Sequence, residues 1–305
     1  KLLNTPGTIS VGYNTLGFDD EFLRFSFYRN LLPAYTHQYA NQCGRMDLYP
    51  ITVMYYLYKH DALTWPLKGD KPTLKLEYLS EANKLASGQA HNAMVDVIAT
   101  VELAKRFFKE REMWDYVIGY FNKATDLSRI DKLDICFETN DHIFREALLI
   151  NGSFGADNNF IAPVISLGQH KQYKNQMLWL RLDRDNLQQT TSENIDTIPY
   201  VVRKKPAEQE LLLPLLDRFT GKVDEKRWQI AKDNTSWLES NPDILMAICD
   251  YYQNFTYPKV PNLDLSAALY DMAFPSSHDT NQWRKFHLAS DSDKTKIADA
   301  FTKSE

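Results

Sequence analysis

In the stretch GQAHNAMVDVIATVELAKRF, residues 88–107, and just beyond it, apolar positions recur at intervals of three and four. This spacing predicts an amphipathic helix, and we interpret the recurring apolar set as its core-facing side. The set consists of Val97, Val101, Ala104 and Phe108. Two polar residues stand at the start of the helix, His91 just before it and Asp96 in its first turns. They are either a cap and a solvated charge or two parts of an active site.

Comparable patterns organise the chain before this helix. The β-branched run TISVGYN predicts a strand over 8–14, and helical spacing follows it over 19–32, where we assign the aromatic side chains of Phe22, Phe25 and Tyr28 mainly to the core. Apolar runs at helical spacing predict two more helices, over 47–61 and 74–85.

The sequence pattern changes near residue 126, where short apolar runs alternate with turns rich in Gly, Asn and Asp. This pattern is typical of a small β-domain, and the stretch 225–255 interrupts it as a helical insertion. A proline-rich joint then leads into a further helical segment. The sequence therefore predicts three domains, over 1–125, 126–256 and 257–305.

Composition narrows the function classes. A net charge of −5 argues against a non-specific basic coat for duplex DNA, although a local basic groove remains compatible with it. Cys43, Cys136 and Cys249 lie far apart with no C-x-x-C spacing, which favours reduced thiols in a cytoplasmic protein. No apolar run approaches the roughly 18 residues that a membrane span needs. The sequence also lacks the P-loop, dinucleotide-binding and G-x-S-x-G motifs, so those chemistries have no support.

Carboxylates at helix starts have two interpretations. Capping explains Asp19 and Asp20, which follow a strand and open a helix, and the positive end of the helix dipole explains Asp96, with His91 as the cap of that helix. The chemical alternative is that Asp19 and Asp96 ligate one Mg²⁺ or Mn²⁺, since these hard cations prefer oxygen ligands. His91 could then act as a general base, because its reference pKa of about 6.5 lies near working pH.

Basic and aromatic residues interleave in RFSFYRNLLPAYTHQY, residues 24–39. Aromatic residues at helical spacing are mostly core, but Tyr35 and Tyr39 follow Pro33 and lie outside the helix. They are the better candidates for stacking on unpaired bases, which is worth about 1–3 kcal/mol per base. Arg24 is a candidate for holding a phosphate.

Taken together, these stretches resemble bacterial exodeoxyribonuclease I, a DEDD-type 3′→5′ exonuclease specific for single-stranded DNA. The resemblance runs along nearly the whole chain and is strongest in residues 11–106. It is carried by GYNTLGFDDEFLRFSFYRN, RMDLYPITVMYYL, LTWP, LKLEYLSEAN and AHNAMVDVIATVELAK, in the family's order and spacing, and then by GSFGA, IAP and LDLSAALYDMAF.

The resemblance assigns roles residue by residue. Asp19 matches the aspartate of the second exonuclease motif, Asp96 the last metal-ligand aspartate, and His91 the catalytic histidine of the DEDDh subclass. Lys75 stands where the family has a substrate-binding arginine. The lysine keeps the positive charge but lacks the bidentate geometry of a guanidinium. The positions that match DNA-contacting residues are Arg24, Tyr35 and Tyr39.

The resemblance also implies a fold, a cofactor and partners. The fold is an RNase H-like α/β exonuclease domain, an SH3-like β-domain and the start of a helical domain. The complete enzyme would hold two Mg²⁺ ions, with Mn²⁺ as a substitute, and release 5′-mononucleotides. The implied partners are single-stranded DNA and the single-strand-binding protein, and the implied state is a monomer without membrane association that acts in DNA repair and recombination.

One element of the family is missing. Its first strand bears D-x-E roughly ninety residues before the second motif, whereas here only about eighteen residues precede Asp19. We expect the chain to be an internal fragment, also cut short in its helical domain, with little activity alone. One alternative is a family member that binds single-stranded DNA without cutting it. Another is a DEDD-type RNA exonuclease, although the SH3-like and C-terminal similarities argue against it.

Overall fold

The fold is described from a computed structural model, in which residues 2–87, 92–139, 142–299 and 301 are described. The helices are α1 (Asp19–Arg29), α2 (Thr36–Tyr39), α3 (Leu48–Tyr58), α4 (Leu76–Asn83), α5 (Ala93–Phe107), α6 (Arg111–Ile118), α7 (Lys123–Asp131), α8 (Asp217–Thr220), α9 (Glu225–Ser240), α10 (Pro242–Asn254), α11 (Ser277–Leu288) and α12 (Asp291–Ala298). The strands are β1 (Ile9–Gly12), β2 (Gly44–Asp47), β3 (Leu67–Lys68), β4 (Lys71–Pro72), β5 (Ile135–Glu138), β6 (Ile143–Ile150), β7 (Ile161–Gln169), β8 (Met177–Arg181), β9 (Val201–Lys204) and β10 (Leu211–Leu213). Among the described helices, none combines the length and apolar character needed to cross a bilayer.

The chain divides into two compact units. The first unit comprises Lys1–Ser10, Thr15–Arg45 and Pro258–Glu305, and the second comprises Val11–Asn14 and Met46–Tyr257. This division follows contacts in space, whereas the three predicted domains follow one another along the sequence. The three-domain division stays a prediction.

Hydrogen bonds join α1 to residues 265 and 266 within the first unit. The Tyr28 hydroxyl on α1 donates to the Leu265 carbonyl at 2.8 Å, and Arg29 Nε donates to the Ser266 carbonyl at 3.1 Å. Helices α11 and α12 contain no buried residue among those described. The assignment of Phe22 to a core is wrong, because its side chain is 65% exposed and its ring lies against the exposed ring of Phe18. Phe25 and Tyr28 are half-buried.

An antiparallel sheet forms the centre of the second unit and confirms the predicted β-rich region. Its strand order is β10–β6–β7–β8–β9, with β5 paired to β6. Side chains alternate along β8: Leu178 and Leu180 pack with the cluster that includes residues of α9 and α10, while Trp179 packs with Ile130 of α7. The two helices of the predicted insertion therefore cover one face of the sheet.

Helix α5 forms where the spacing predicts it, but its core side is not the predicted one. Ala99, Leu103 and Phe107 are buried in the cluster shared with α3 and α4, and the Phe107 ring stacks on Tyr55 at 4.1 Å. The predicted set is largely solvent-facing: Val97 is 56%, Val101 46% and Phe108 48% exposed, and Ala104 is half-buried. The helix is apolar on two sides, so its spacing alone could not select the packed side.

These two sides predict a contrast in stability. Leu103→Ala is expected to lower the free energy of unfolding by about 2–5 kcal/mol, because it leaves a cavity in a packed core. Val101→Ala, on the exposed side, is expected to change it by no more than about 0.5 kcal/mol. Urea unfolding of both variants measures the difference, and equal losses would show that the Val101 side is packed in solution.

Candidate functional site

Helix α1 begins with two aspartates that face different environments. Asp19 is exposed, whereas Asp20 is 5% exposed and points into the first unit. Adjacent positions on a helix lie about 100° apart, so the doublet places one carboxylate outward and the other inward. Of the two, Asp19 has the accessible carboxylate, as the predicted metal-ligand role requires.

The buried Asp20 carboxylate is the centre of a polar network. Arg24 Nη2 lies 2.6 Å from Asp20 Oδ2, and Arg45 also donates to Oδ2. His37 Nε2 lies 3.3 Å from Oδ1, and Gln38 Nε2 donates to Oδ2 at 3.2 Å. These contacts join the first turn of α1 to α2 and β2, so they fix the direction in which neighbouring Asp19 projects.

Opposing effects set the protonation of Asp20. Burial alone raises the pKa of this carboxyl, but the hydrogen bond from His37 and the positive charges of Arg45 and Arg24 outweigh burial. The pKa of Asp20 therefore lies below its ordinary value of 3.8. The carboxylate is ionised at neutral pH and compensates the arginines around it.

Arg24, the predicted phosphate ligand, is a member of this network. Its side chain is buried, and Nη1 lies 2.6 Å from Glu21 Oε1 in a second ion pair. Its guanidinium also lies 5.7 Å from the ring centre of Tyr35. The structure thus brings Arg24 and Tyr35 together, with the arginine already holding two carboxylates, and a direct phosphate contact by Arg24 stays a prediction.

The two predicted stacking tyrosines differ in exposure. Tyr35 is half-buried and contacts Phe274 edge-on at 5.8 Å between ring centres. Tyr39 is the last residue of α2 and is 70% exposed. An exposed ring has a free face for a base, so Tyr39 is the more accessible of the pair.

In the second unit, Asp96 lies in the first turn of α5 and is half-buried. The cap of this helix is Asn92, whose side chain accepts the Met94 amide at 3.1 Å, so the bland interpretation of His91 as the cap is wrong. Thr100 Oγ1 donates to the backbone carbonyl of Asp96 at 2.7 Å, not to the Asp96 carboxylate. His91 lies outside the described residues, and its predicted role as general base stays a prediction.

Lys75 occupies the position just before α4 and is exposed. Its backbone is extended, and the preceding Leu74 carbonyl accepts a hydrogen bond from the Tyr13 hydroxyl. The ammonium group is thus presented to solvent from a fixed backbone position, as a phosphate contact requires.

The predicted residues are distributed over both units. The first unit holds Asp19, Arg24, Tyr35 and Tyr39, and the second holds Lys75 and Asp96. Across the described ranges, no group of three or more His, Cys, Asp or Glu side chains is arranged to hold a metal ion. The described residues therefore do not make up the two-ion site that the resemblance implies.

Sequence reasoning missed the partners of Asp20. His37, Gln38 and Arg45 had no assigned role, although Asp20 was recognised as part of an acidic doublet. The available signal was weak: adjacent helix positions lie about 100° apart, so two neighbouring acids can face different environments, but the doublet does not require it. The identity of the inward partners, 17 to 25 residues away in sequence, required the tertiary structure.

No family model matches the chain. Among curated proteins, it is 30% identical over 188 residues to exodeoxyribonuclease I of Escherichia coli K12, covering 61% of this chain and 38% of that protein. It is 26% identical over 297 residues to exodeoxyribonuclease I of Haemophilus influenzae, covering 90% of this chain and 61% of that protein. The chain thus spans less than two thirds of the length of these relatives.

Solved structures agree with the sequence matches. Escherichia coli exonuclease I in complex with a dA16 oligonucleotide superposes with a TM-score of 0.84 at 23% identity, over 97% of this chain and 65% of that one. A structure of SSB/exonuclease I in complex with the inhibitor CFAM gives 0.78 at 22% identity, over 97% and 63%. At these identities the likeness establishes the fold alone. The resemblance predicted from the sequence is confirmed: the chain is exodeoxyribonuclease I-like.

Proposed function

We propose that this chain is part of a 3′→5′ exonuclease that degrades single-stranded DNA to 5′-mononucleotides. The observation that carries the proposal is the sequence similarity to exodeoxyribonuclease I, which extends over 90% of the chain in one relative. The proposal includes an RNase H-like exonuclease domain, followed by an SH3-like β-domain and the start of a helical domain. It also includes single-stranded DNA and a single-strand-binding protein as partners, since exonuclease I structures contain an oligonucleotide or SSB, and a monomeric protein of the cytoplasm acting in DNA repair.

Within this proposal, the chain's own residues bind and orient the strand. Tyr39 offers an exposed ring for a terminal base, and Lys75 offers an exposed ammonium for a phosphate. Tyr35 lies 5.7 Å from the buried Arg24 guanidinium, whose charge Asp20 and Glu21 already compensate, so Tyr35 contributes an aromatic face to the proposed surface. Asp20 positions this turn through Arg24 and the other members of its network.

Asp19 and Asp96 are the two carboxylates that the proposal assigns to a divalent cation. Both lie in the first turn of a helix, and oxygen ligands suit Mg²⁺ or Mn²⁺. Two carboxylates alone do not complete a two-ion site. His91 is proposed as the group that removes a proton from the attacking water.

Digestion of a 5′-labelled single strand tests the function. The 305-residue chain in Mg²⁺ is expected to release little or no nucleotide, because the described residues do not complete the metal site. Substantial Mg²⁺-dependent digestion by this chain that disappears in the Asp96→Ala variant would show instead that the chain is catalytically complete.

The gene product expressed at its full natural length provides the second arm. It is expected to digest single strands from the 3′ end, and Asp96→Ala is expected to reduce the rate at least about a thousandfold, as loss of a principal catalytic group does. Glu112→Ala is the matched control, since Glu112 is also an acid in the first turn of a helix, and it should leave the rate unchanged. Binding without digestion would favour the non-catalytic DNA-binding alternative, and a preference for RNA in competition would overturn the DNA assignment.

A further inference from the structure

Aromatic side chains gather around one arginine in the second unit, at the end of α10 and the adjoining strands. The Arg203 guanidinium lies 5.1 Å from the ring centre of Phe255 and 5.7 Å from that of Tyr257. Tyr173 contacts Tyr257 at 5.4 Å between ring centres, and Tyr251 contacts Phe255 at 6.2 Å. We call these five residues the tyrosine patch. Two of its rings, Tyr257 at 44% and Tyr251 at 37% exposure, face solvent.

A fixed framework holds the patch in place. Buried His170 accepts the backbone amides of Gln172 and Tyr173 at Nδ1, and its Nε2 donates to the Phe255 carbonyl at 2.7 Å. Both ring nitrogens are held by hydrogen bonds, so the orientation of the imidazole is set. Gln253 adds a bond from its Nε2 to the Leu167 carbonyl at 2.6 Å. These hydrogen bonds fix the backbone that carries the exposed rings, which lowers the entropy cost of binding a ligand.

Both cationic and anionic side chains lie around the patch, and Arg203 is at its centre. Arg203 Nε is buried and has no hydrogen-bond partner among the described residues. Lys171 lies beside Asp250 at 3.3 Å, and Lys174 is exposed on the same turn as Tyr173. Asp196 also acts electrostatically on Tyr252, the buried neighbour of the patch. The aromatic faces thus surround a cation whose charge no carboxylate contacts within the described part of the chain.

We propose that the tyrosine patch binds unpaired bases of a single-stranded nucleic acid, as a contact additional to Tyr35 and Tyr39. Exposed tyrosine rings next to a guanidinium stack on bases of any sequence, and the positive charge attracts the adjoining phosphates. Only an unpaired strand offers free base faces, so duplex DNA should bind poorly. The inference rests on the proposed function for the identity of the strand, and its residues are separate from those assigned to digestion.

Fluorescence anisotropy with labelled oligo-dT in EDTA measures binding without cleavage. Tyr257→Ala is expected to raise Kd roughly tenfold, whereas Tyr257→Trp should retain the affinity because it keeps a stacking face. Tyr200→Ala is the matched control, since Tyr200 is 39% exposed in the same unit and lies outside the patch, and it should leave Kd unchanged. Arg203→Gln should reduce the dependence of Kd on salt.

Photo-crosslinking separates this inference from the function itself. Oligo-dT carrying 4-thiothymidine should crosslink to the peptide that contains Tyr251 and Tyr257. Binding with crosslinks confined to residues 24–39, or unchanged by Tyr257→Ala, would overturn the patch and leave the proposed function standing. Absence of binding to any single strand would overturn both, and binding of a proline-rich peptide instead of oligo-dT would assign the patch to a protein partner.

Discussion

Asp20→Ala is expected to destabilise the first unit by about 3–5 kcal/mol, because it leaves Arg24 and Arg45 largely buried without their shared carboxylate. The penalty comes mainly from these two arginines, since a buried cation that loses one of its carboxylate partners keeps its desolvation cost. Asp20 also joins α1 to α2 through His37, so helix α1 should lose its protection first.

Hydrogen exchange over the peptide containing α1 measures this effect locally. That choice matters because five of the six tryptophans, Trp65, Trp114, Trp179, Trp228 and Trp237, lie in the second unit and report on that unit. Asp19→Ala is the matched control: its carboxylate is the exposed neighbour, and its loss should cost no more than about 1 kcal/mol. Equal effects of the two substitutions would refute the assignment of Asp20 as the inward, paired carboxylate.

The same carboxylate gives the first unit a defined acid sensitivity. Because the folded pKa of Asp20 is depressed, its contribution to stability is fully present above the ordinary value of 3.8 and is lost as the pH falls through the lower folded value. Protection of α1 should therefore decline below about pH 4. In Asp20→Asn this part of the decline should be absent, and an unchanged acid profile would place the responsible group elsewhere.

Lys204→Met is expected to lower the stability of the second unit by about 3–5 kcal/mol, because it strands the fully buried carboxylate of Asp126. Lys204 Nζ lies 2.8 Å from Asp126 Oδ2 and also donates to the Glu210 carbonyl at 2.7 Å. The pair connects β9 to α7 and to the residue that precedes β10. Tryptophan fluorescence during urea unfolding measures the loss, since five of the six tryptophans report on this unit.

A double variant separates the charge effect from simple loss of packing. Lys204→Met combined with Asp126→Leu removes both charges, and apolar replacement of a buried pair is often neutral or stabilising. The double variant should therefore recover much of the stability lost in Lys204→Met alone. If the double variant loses as much stability as Lys204→Met and Asp126→Leu lose separately in sum, the ion pair is not the source of the effect, and lost packing explains it instead.

The helix starts of the candidate site were predictable from local chemistry. Asp19 follows a strand and opens α1, and Asp96 lies in the first turn of α5, because acids favour the positive end of a helix and the apolar spacing marks where each helix runs. The β-rich region was equally readable from short apolar runs between turn residues. The resemblance to exodeoxyribonuclease I came from ordered motifs, which are properties of the sequence itself.

Tertiary structure decided what local pattern leaves open. The spacing correctly predicted that α5 is amphipathic, but it predicted the side of Val97 and Val101 as the buried one. In the structure, packing against α3 and α4 buries Leu103 and Phe107 instead. The choice between two apolar sides depends on neighbours distant in sequence, so periodicity cannot make it. Phe22 was misassigned for the same reason.

Sequence by itself thus determined most of the longer helices, the β-rich region and the family likeness, because each depends on residues that are close together or in a fixed order. Only the tertiary structure decided which of two adjacent aspartates is buried and that Arg24 is bound by carboxylates within its own unit. It also gathered Tyr173, Arg203 and Tyr257 into one patch. These outcomes depend on desolvation and on partners brought together by folding, which no local pattern of residues records.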